Sequence, residues 1–220
     1  MYTGPNIPLE GLVLGLDPSV TRSYPGTGST YYDLSSENNH GTILGDVEFV
    51  DEGKLKYFGF NGQQLDRITF SPFVLTTEWT INYWFYHSGL GFDMILGEYN
   101  TTGNRLYHRD TGTDYKLRVH NDSAENIQDM PLGDIRNQWA HLGYTVNQTN
   151  GTVKGWVNGV QVLNTTTVDS ATFVVDTIGN PYTSTTYTWN GKVGSIYIYN
   201  REISNEEYLL IYEGQKSRYL

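Results

Sequence analysis

The chain has 220 residues and no cysteine, which excludes disulfides and thiolate metal sites. Its 24 acidic residues outweigh 14 basic ones, for a formal charge of -10, and no Lys/Arg cluster stands out, so nucleic acid is not expected as a partner. The opening MYTGPNIPLEG lacks the basic start and apolar run of a secretory signal, and no stretch approaches the roughly 20 apolar residues of a membrane helix, so no membrane span is expected.

Only 17% of residues are charged, whereas Tyr (18) and Gly (24) abound, a mixture that suits pleated strands joined by tight turns. Residues 1–9 read as an arm, because Gly4, Pro5 and Pro8 interrupt any regular pattern. Residues 11–17, GLVLGLD, predict a first strand with Leu12, Leu14 and Leu16 on one face, ended by Pro18. Residues 21–42 carry turn chemistry almost throughout, with the sharpest bend at Tyr24-Pro25-Gly26. A loop of that length in a compact domain either carries function or packs on itself.

Short strands follow. LKYFGFNG ends on the tight-turn pair Asn61-Gly62, and LDRITF comes next. In EWTINYWFYH, residues 78–87, Trp79, Ile81, Tyr83 and Phe85 share one face, while Thr80, Asn82, Trp84 and Tyr86 share the other. Both faces are partly apolar, which predicts a central strand of a sandwich. FDMILGEYN, RLYHRD and YKLRVHN continue a meander. QWAHLGYTVN and TVKGWVNGVQVLN form a hairpin pair, the latter with its own turn at Asn158-Gly159. ATFVVDTIGN precedes a Thr/Tyr-rich loop, 181–188. The closing stretch WNGKVGSIYIYNR, 189–201, is predicted to open on an Asn190-Gly191 turn and to lie at the centre of a sheet. One helix is predicted from Ser204. Ser204 and Glu207 make a capping box, Ile203 and Tyr208 a hydrophobic staple, and Gly214 the stop. Tyr208, Ile211 and Tyr212 form its sandwich-facing side, and the basic tail QKSRYL follows.

About a dozen short strands and one terminal helix imply an all-β sandwich or jelly roll. It divides into an arm 1–9, a sandwich 10–203 and a capped helix with tail 204–220.

Catalytic signatures are missing. There is no G-x-S-x-G elbow, and the five histidines, 40, 87, 108, 120 and 141, occur singly. In EFVDE, residues 48–52, Glu48 and Glu52 share a face with Val50 while Asp51 points away, so the alternating acids of a glycosidase strand are off by one residue. Asp17, Asp33, Asn38 and Asn39, with Ser35, could converge on calcium, which takes several oxygen ligands from a flexible loop; alternatively they cap their own turns. Sugar binding would need exposed aromatics beside planar polar groups. Tyr31, Tyr32, Tyr182 and Tyr187 are the candidates, with Phe92 and Tyr99 also in loops, whereas Trp79, Trp84, Trp139 and Trp156 lie in strands as fillers.

Several stretches together resemble the concanavalin A-like, laminin-G-type jelly rolls. GLVLGLDPSVTRSYPGTGSTYYDLSSENNHGT resembles the opening of a subgroup found in tailed-phage structural proteins, with His40 inserted into its Asn-Asn-Gly-Thr turn. YFGFNGQ, TINYWFY, NQWAHLGYTV, VKGWVNGV and WNGKVGSIYIYNREISNEE resemble successive motifs of the same fold, so the resemblance spans residues 10–218. Gln63-Gln64 and Gly194-Ser195 stand where many relatives carry acids. The resemblance implies a concanavalin A-like jelly-roll β-sandwich with one short C-terminal helix. It also implies a non-enzymatic structural protein on the surface of a phage virion, as capsid decoration, cement or a small tail or neck component, made in the host cytoplasm. There it would contact other capsid or tail subunits through residues 1–9 and 215–220 and assemble as a homo-oligomer. The other reading is a glycan-binding adhesin or carbohydrate-binding module for host surface glycans. A fold of this kind hosts both.

Overall fold

A computed structural model of the protein describes residues 7–87, 91–99, 103–121, 127–166, 171–180 and 188–220. In chain order its strands are β1 (Leu12–Leu16), β2 (Thr30–Tyr31), β3 (Gly41–Leu44), β4 (Glu48–Glu52), β5 (Leu55–Asn61), β6 (Arg67–Leu75), β7 (Glu78–His87) and β8 (Gly91–Gly97). They continue as β9 (Arg105–Asp110), β10 (Tyr115–His120), β11 (Met130–Pro131), β12 (Trp139–Asn147), β13 (Thr152–Val157), β14 (Val160–Thr165), β15 (Phe173–Ile178) and β16 (Asn190–Tyr199). Helix α1 (Asn205–Tyr219) closes the chain. Among the described residues no helix is long and apolar enough to cross a membrane.

The strands form two antiparallel sheets facing each other. Sheet A runs β14-β13-β12-β7-β16-β5-β4, with β1 alongside β16; sheet B runs β11-β10-β9-β8-β15-β6-β3-β2. The alternation of residues 78–87 is realised as expected. Trp79, Ile81, Tyr83 and Phe85 point between the sheets, and Trp84 and Tyr86 point outward. β7 sits between β12 and β16, and β16 also pairs with β5, so both are central. The hairpin turn Asn158-Gly159 has both φ angles positive, 48° and 85°, the turn that matches strand twist.

Local irregularities move some residues from their expected places. Leu14 and Leu16 enter the inter-sheet core, but a register shift between Leu12 and Leu14 sends Leu12 to the opposite cluster, with Tyr197 and Tyr199. β16 carries a shift between Val193 and Ile196, so Val193, Ile196 and Ile198 all face the core while Tyr197 and Tyr199 face out. Asn190-Gly191 is not a turn: both residues are paired in β16, opposite Asn61 and Phe60. Gly191 is there because a Cβ would lie 2.3 Å from the Tyr86 carbonyl oxygen. The strand after Asn61-Gly62 runs on past Phe70 to Leu75.

The capping box forms as expected: Glu207 N–H donates to Ser204 Oγ at 3.2 Å, and Ser204 N–H donates to Glu207 Oε2 at 2.8 Å. The helix does not stop at Gly214. Docking of its last turn outweighs the roughly 1 kcal/mol penalty of one interior glycine. Gln215 accepts from Ser195 Oγ at 2.5 Å and donates to the Tyr197 hydroxyl at 3.0 Å, and Tyr219 stacks on Trp84 at 4.4 Å. The tail is therefore the last turn of the helix, and Gln215 and Tyr219 are buried against the chain's own sheet rather than free for a neighbour. At the other end, Ile7 is buried in the same outer cluster as Tyr208; residues 1–6 lie outside the described residues.

Candidate functional site

The residues expected to hold calcium are committed to protein partners. Asp17 is fully buried and accepts from Arg218 Nη1 at 2.8 Å, the Tyr197 hydroxyl at 3.1 Å and Ser19 N–H at 2.9 Å. Asp33 accepts from the N–H groups of Gly15 at 2.8 Å, Ser35 at 2.9 Å and Asn39 at 2.9 Å. The Asn39 side chain donates to the Val13 carbonyl at 2.8 Å, and that of Asn38, at φ 57°, donates to the Ser36 carbonyl at 3.0 Å. The contacts of Asp17 with Ser19, Asp33 with Ser35 and Asn38 with Ser36 cap turns, whereas those with Gly15, Val13, Tyr197 and Arg218 tie distant parts of the chain together. Among the described residues no three His, Asp or Glu side chains converge as a metal group would.

Of the tyrosines, Tyr31 is 2% exposed, inside the core, and burial pushes its hydroxyl pKa well up. Tyr32 is exposed and meets His40 edge-on at 5.3 Å. As the chain leaves β2 after Tyr31, the two rings enter different surroundings, so they make no common platform. Tyr182 and Tyr187 lie outside the described residues.

A different arrangement emerges from strand order. Cross-strand partners align Trp139 of β12, Tyr86 of β7, Lys192 of β16, Gly59 of β5 and Glu48 of β4 in one row on the outer face of sheet A. Gly59 sits between Lys192 and Glu48. Its φ is not in the left-handed region, and a Cβ there would meet nothing closer than a carbonyl at 3.8 Å. Neither backbone nor packing demands a glycine here, and a strand glycine of that kind leaves room for something else to approach. With strands about 4.8 Å apart, Lys192 and Glu48 flank a gap about 10 Å wide.

The hollow over Gly59 is a cleft of about 280 Å³, walled by Tyr57 and Tyr86, rimmed by Asp46, Glu48, Asn61 and Asn190, and bounded by Lys192. Lys192 Nζ lies 4.7 Å from the Tyr57 ring centre and 4.8 Å from that of Tyr86. These cation–π contacts hold it in place without a carboxylate, and among the described residues it makes no salt bridge. The aromatic wall continues from Tyr57 to Trp139 (5.5 Å) and from Trp139 to Tyr219 (4.9 Å), so the end of the helix backs the cleft. Two amides, two carboxylates and an ammonium beside tyrosine rings form a surface able to hydrogen-bond several hydroxyls while one sugar face packs on a ring.

A second polar group lies inside the sandwich. Its links are Asp93 to His87 (2.7 Å), His87 to Tyr115 (3.0 Å), Tyr115 to His108 (2.8 Å) and His108 to Tyr83 (2.8 Å). Tyr83, His108, Tyr115 and His87 thus form one continuous run of hydrogen bonds that ends on the Asp93 carboxylate, an acceptor. Burial, and then the neighbouring His87, hold the His108 pKa well below the ordinary imidazole value. The chain ties sheet A to sheet B. It is closed to ligands, since His87 and His108 are fully buried. The isolated histidines gave no sign of this assembly, because its members come from four different strands.

The model of the Laminin_G_3 family, described as the concanavalin A-like lectin/glucanases superfamily, matches residues 61–207. The chain belongs to that family. No curated protein matches the chain. Among solved structures, this Laminin_G_3 protein is similar to domain 4 of AbnA, an extracellular arabinanase from Geobacillus stearothermophilus solved with arabinotriose, with 16% identity, a TM-score of 0.68, and 94% of this chain and 100% of that domain covered. It is also similar to the binding domain of Paraclostridial Mosquitocidal Protein 1, with 16% identity, a TM-score of 0.64, and 92% of this chain and 52% of that one covered. A botulinum neurotoxin serotype D/C binding domain matches with 16% identity, a TM-score of 0.65 and coverages of 94% and 52%. The chain thus spans about half the length of these toxin binding domains. At these identities the likeness shows a shared fold.

Proposed function

We propose that this Laminin_G_3 protein is a non-enzymatic carbohydrate-binding module that seats a sugar ring over Gly59. The observation that carries the reading is the unfilled position itself. An outward strand glycine with open space above it lies between a tyrosine-held ammonium and a carboxylate. The similarity to a domain solved with arabinotriose and to toxin binding domains supports a binding role over a catalytic one. The resemblance of residues 11–42 to tailed-phage structural proteins supports placing the module on a virion, facing host glycans.

The test is a glycan array with purified protein, repeated with Gly59→Tyr, which fills the hollow with a strand-compatible side chain. Selective binding to one neutral sugar class, lost in the variant at unchanged fold, is the expected result. An array with no binding, or binding that Gly59→Tyr leaves intact, refutes the assignment of this cleft.

A further inference from the structure

The outer face of sheet B has a different chemistry. Across β8, β9, β10 and β11 the rows read Phe92–Arg109–Lys116–Pro131, then Met94–Tyr107–Arg118, then Arg105–His120. Their neighbours in sequence, Leu106, Leu117 and Val119, fill the core, so strand alternation places the cations outside together. Arg118 is neutralised by Asp129, with Nε and Nη2 each donating at 2.7 Å. Arg109 and Lys116 share the single carboxylate of Asp114, at 3.2 and 3.0 Å. Arg105 has no carboxylate in salt-bridge range among the described residues. Its Nη2 donates to His120 Nδ1 at 3.2 Å, and its guanidinium lies 5.8 Å from the Tyr107 ring centre. Among the described residues, the four cations of these rows meet two carboxylates, Asp114 and Asp129, a local surplus of positive charge on a chain whose net charge is -10.

His120 adds no charge at neutral pH. Burial, then Arg105 and Arg118, bring its pKa down to about 4. Accepting from Arg105 at Nδ1, it donates from Nε2 to the Tyr107 hydroxyl at 3.1 Å, which fixes Arg105 against the sheet. Phe92 is 38% exposed beside the Arg109 guanidinium, 5.8 Å from its ring centre.

We propose that this face is a second binding surface, selective for carboxylated saccharides of the uronate type, with Phe92 as the stacking ring and Arg105 and Arg109 as the carboxylate donors. The charge argues for an anionic occupant. The rest of an acidic chain repels such a ligand, so the local surplus steers it here. The exposed ring argues for a sugar rather than an inorganic anion, because a planar guanidinium beside an aromatic face matches a carboxylate on a pyranose.

The test is calorimetric titration of the whole protein with trigalacturonate and with neutral galactotriose, at low and at high salt. The acidic trisaccharide should bind, the neutral one should not bind at this face, and binding should weaken as salt rises. Arg105→Gln combined with Arg109→Gln should weaken trigalacturonate binding at least about tenfold, as expected for lost hydrogen bonds to a charged group. Phe92→Ala supplies an independent variant should the double substitution fail to fold. Gly59→Tyr should leave this binding intact, which separates the two surfaces. Three outcomes overturn the proposal: no binding of trigalacturonate, equal weakening of neutral and acidic sugars, or binding that neither set of variants alters. A fourth also does: salt-dependent self-association lost in the arginine variant would make a second copy of the chain the occupant.

Discussion

Asp17 and Arg218 stand 201 positions apart and meet at 2.8 Å, which fastens the last turn of α1 to the end of β1. Asp17 is fully buried, so removing its partner leaves a charge in the interior without compensation. Arg218→Ala should cost about 3 kcal/mol, which for a chain of this size lowers Tm by roughly 6–12 °C. Thermal unfolding followed by circular dichroism checks it. A shift below 2 °C, at most about 1 kcal/mol, would mean that Asp17 is solvated or protonated in the variant.

Two strand glycines should respond with opposite signs. Gly191→Ala forces a Cβ onto the Tyr86 carbonyl oxygen and should destabilise. Gly59→Ala adds its methyl to open space and should stabilise by about 0.5–1 kcal/mol, because an interior strand glycine carries that entropic cost. Chemical denaturation of the two variants side by side reads both.

Stability should fall with acid. His141 is fully buried, and burial lowers its pKa from 6.5 to about 3; His108 is held down by burial and by His87. Depressed folded-state values mean that the unfolded chain binds protons first. The contribution is complete above pH 6.5 and is lost as pH falls from there through about 3. Each such imidazole steepens the loss by about 1.4 kcal/mol per pH unit over its own window. Tm measured across that range should drop, and the drop should be shallower in His141→Phe, which keeps the ring packing against Trp84 and Tyr208.

Calcium should not stabilise the fold. The oxygens of Asp17 and Asp33 are filled by Arg218, Tyr197, Ser35 and backbone N–H groups. Millimolar calcium or chelator should therefore leave Tm within about 1 °C, since only a ligand that binds the native state raises it. A rise with calcium would restore the loop as a metal site.

Much of the architecture could be read along the chain because it is written in local periodicity. Trp79 to Phe85 alternate strictly, Asn158-Gly159 takes the positive φ angles of a tight turn, and Ser204 with Glu207 closes its box. Bulges were not legible, since nothing in LVLGL or KVGSI announces an extra residue. The run of the helix past Gly214 was not legible either, because it depends on what Gln215 and Tyr219 find on the sheet. The cleft was hidden for a third reason. Lys192, Gly59 and Glu48 become neighbours only through the order β16-β5-β4, which no local pattern specifies. Tyr31 and Tyr32 stand together as sugar-binding candidates in the sequence, but β2 ends between them, with one ring in the core and the other exposed.

The irregularity in β16 decides more than the packing of two isoleucines. Val193 and Ile196 both face the core although three positions separate them, so the strand changes phase between them. In an unbroken pleat, a strand that buried Ile196 and Ile198 would bury Lys192 as well. Removing Gly194 or Ser195 would take out the extra residue and restore an even pleat, with Val193, Ile196 and Ile198 still inside and Lys192 still outside. Flattening the step with every residue kept would instead turn Lys192 beneath the sheet or expel Ile196 and Ile198, and in the first case the hollow over Gly59 would lose its wall. The cleft and the core beside it are thus kept together by a single step out of rhythm.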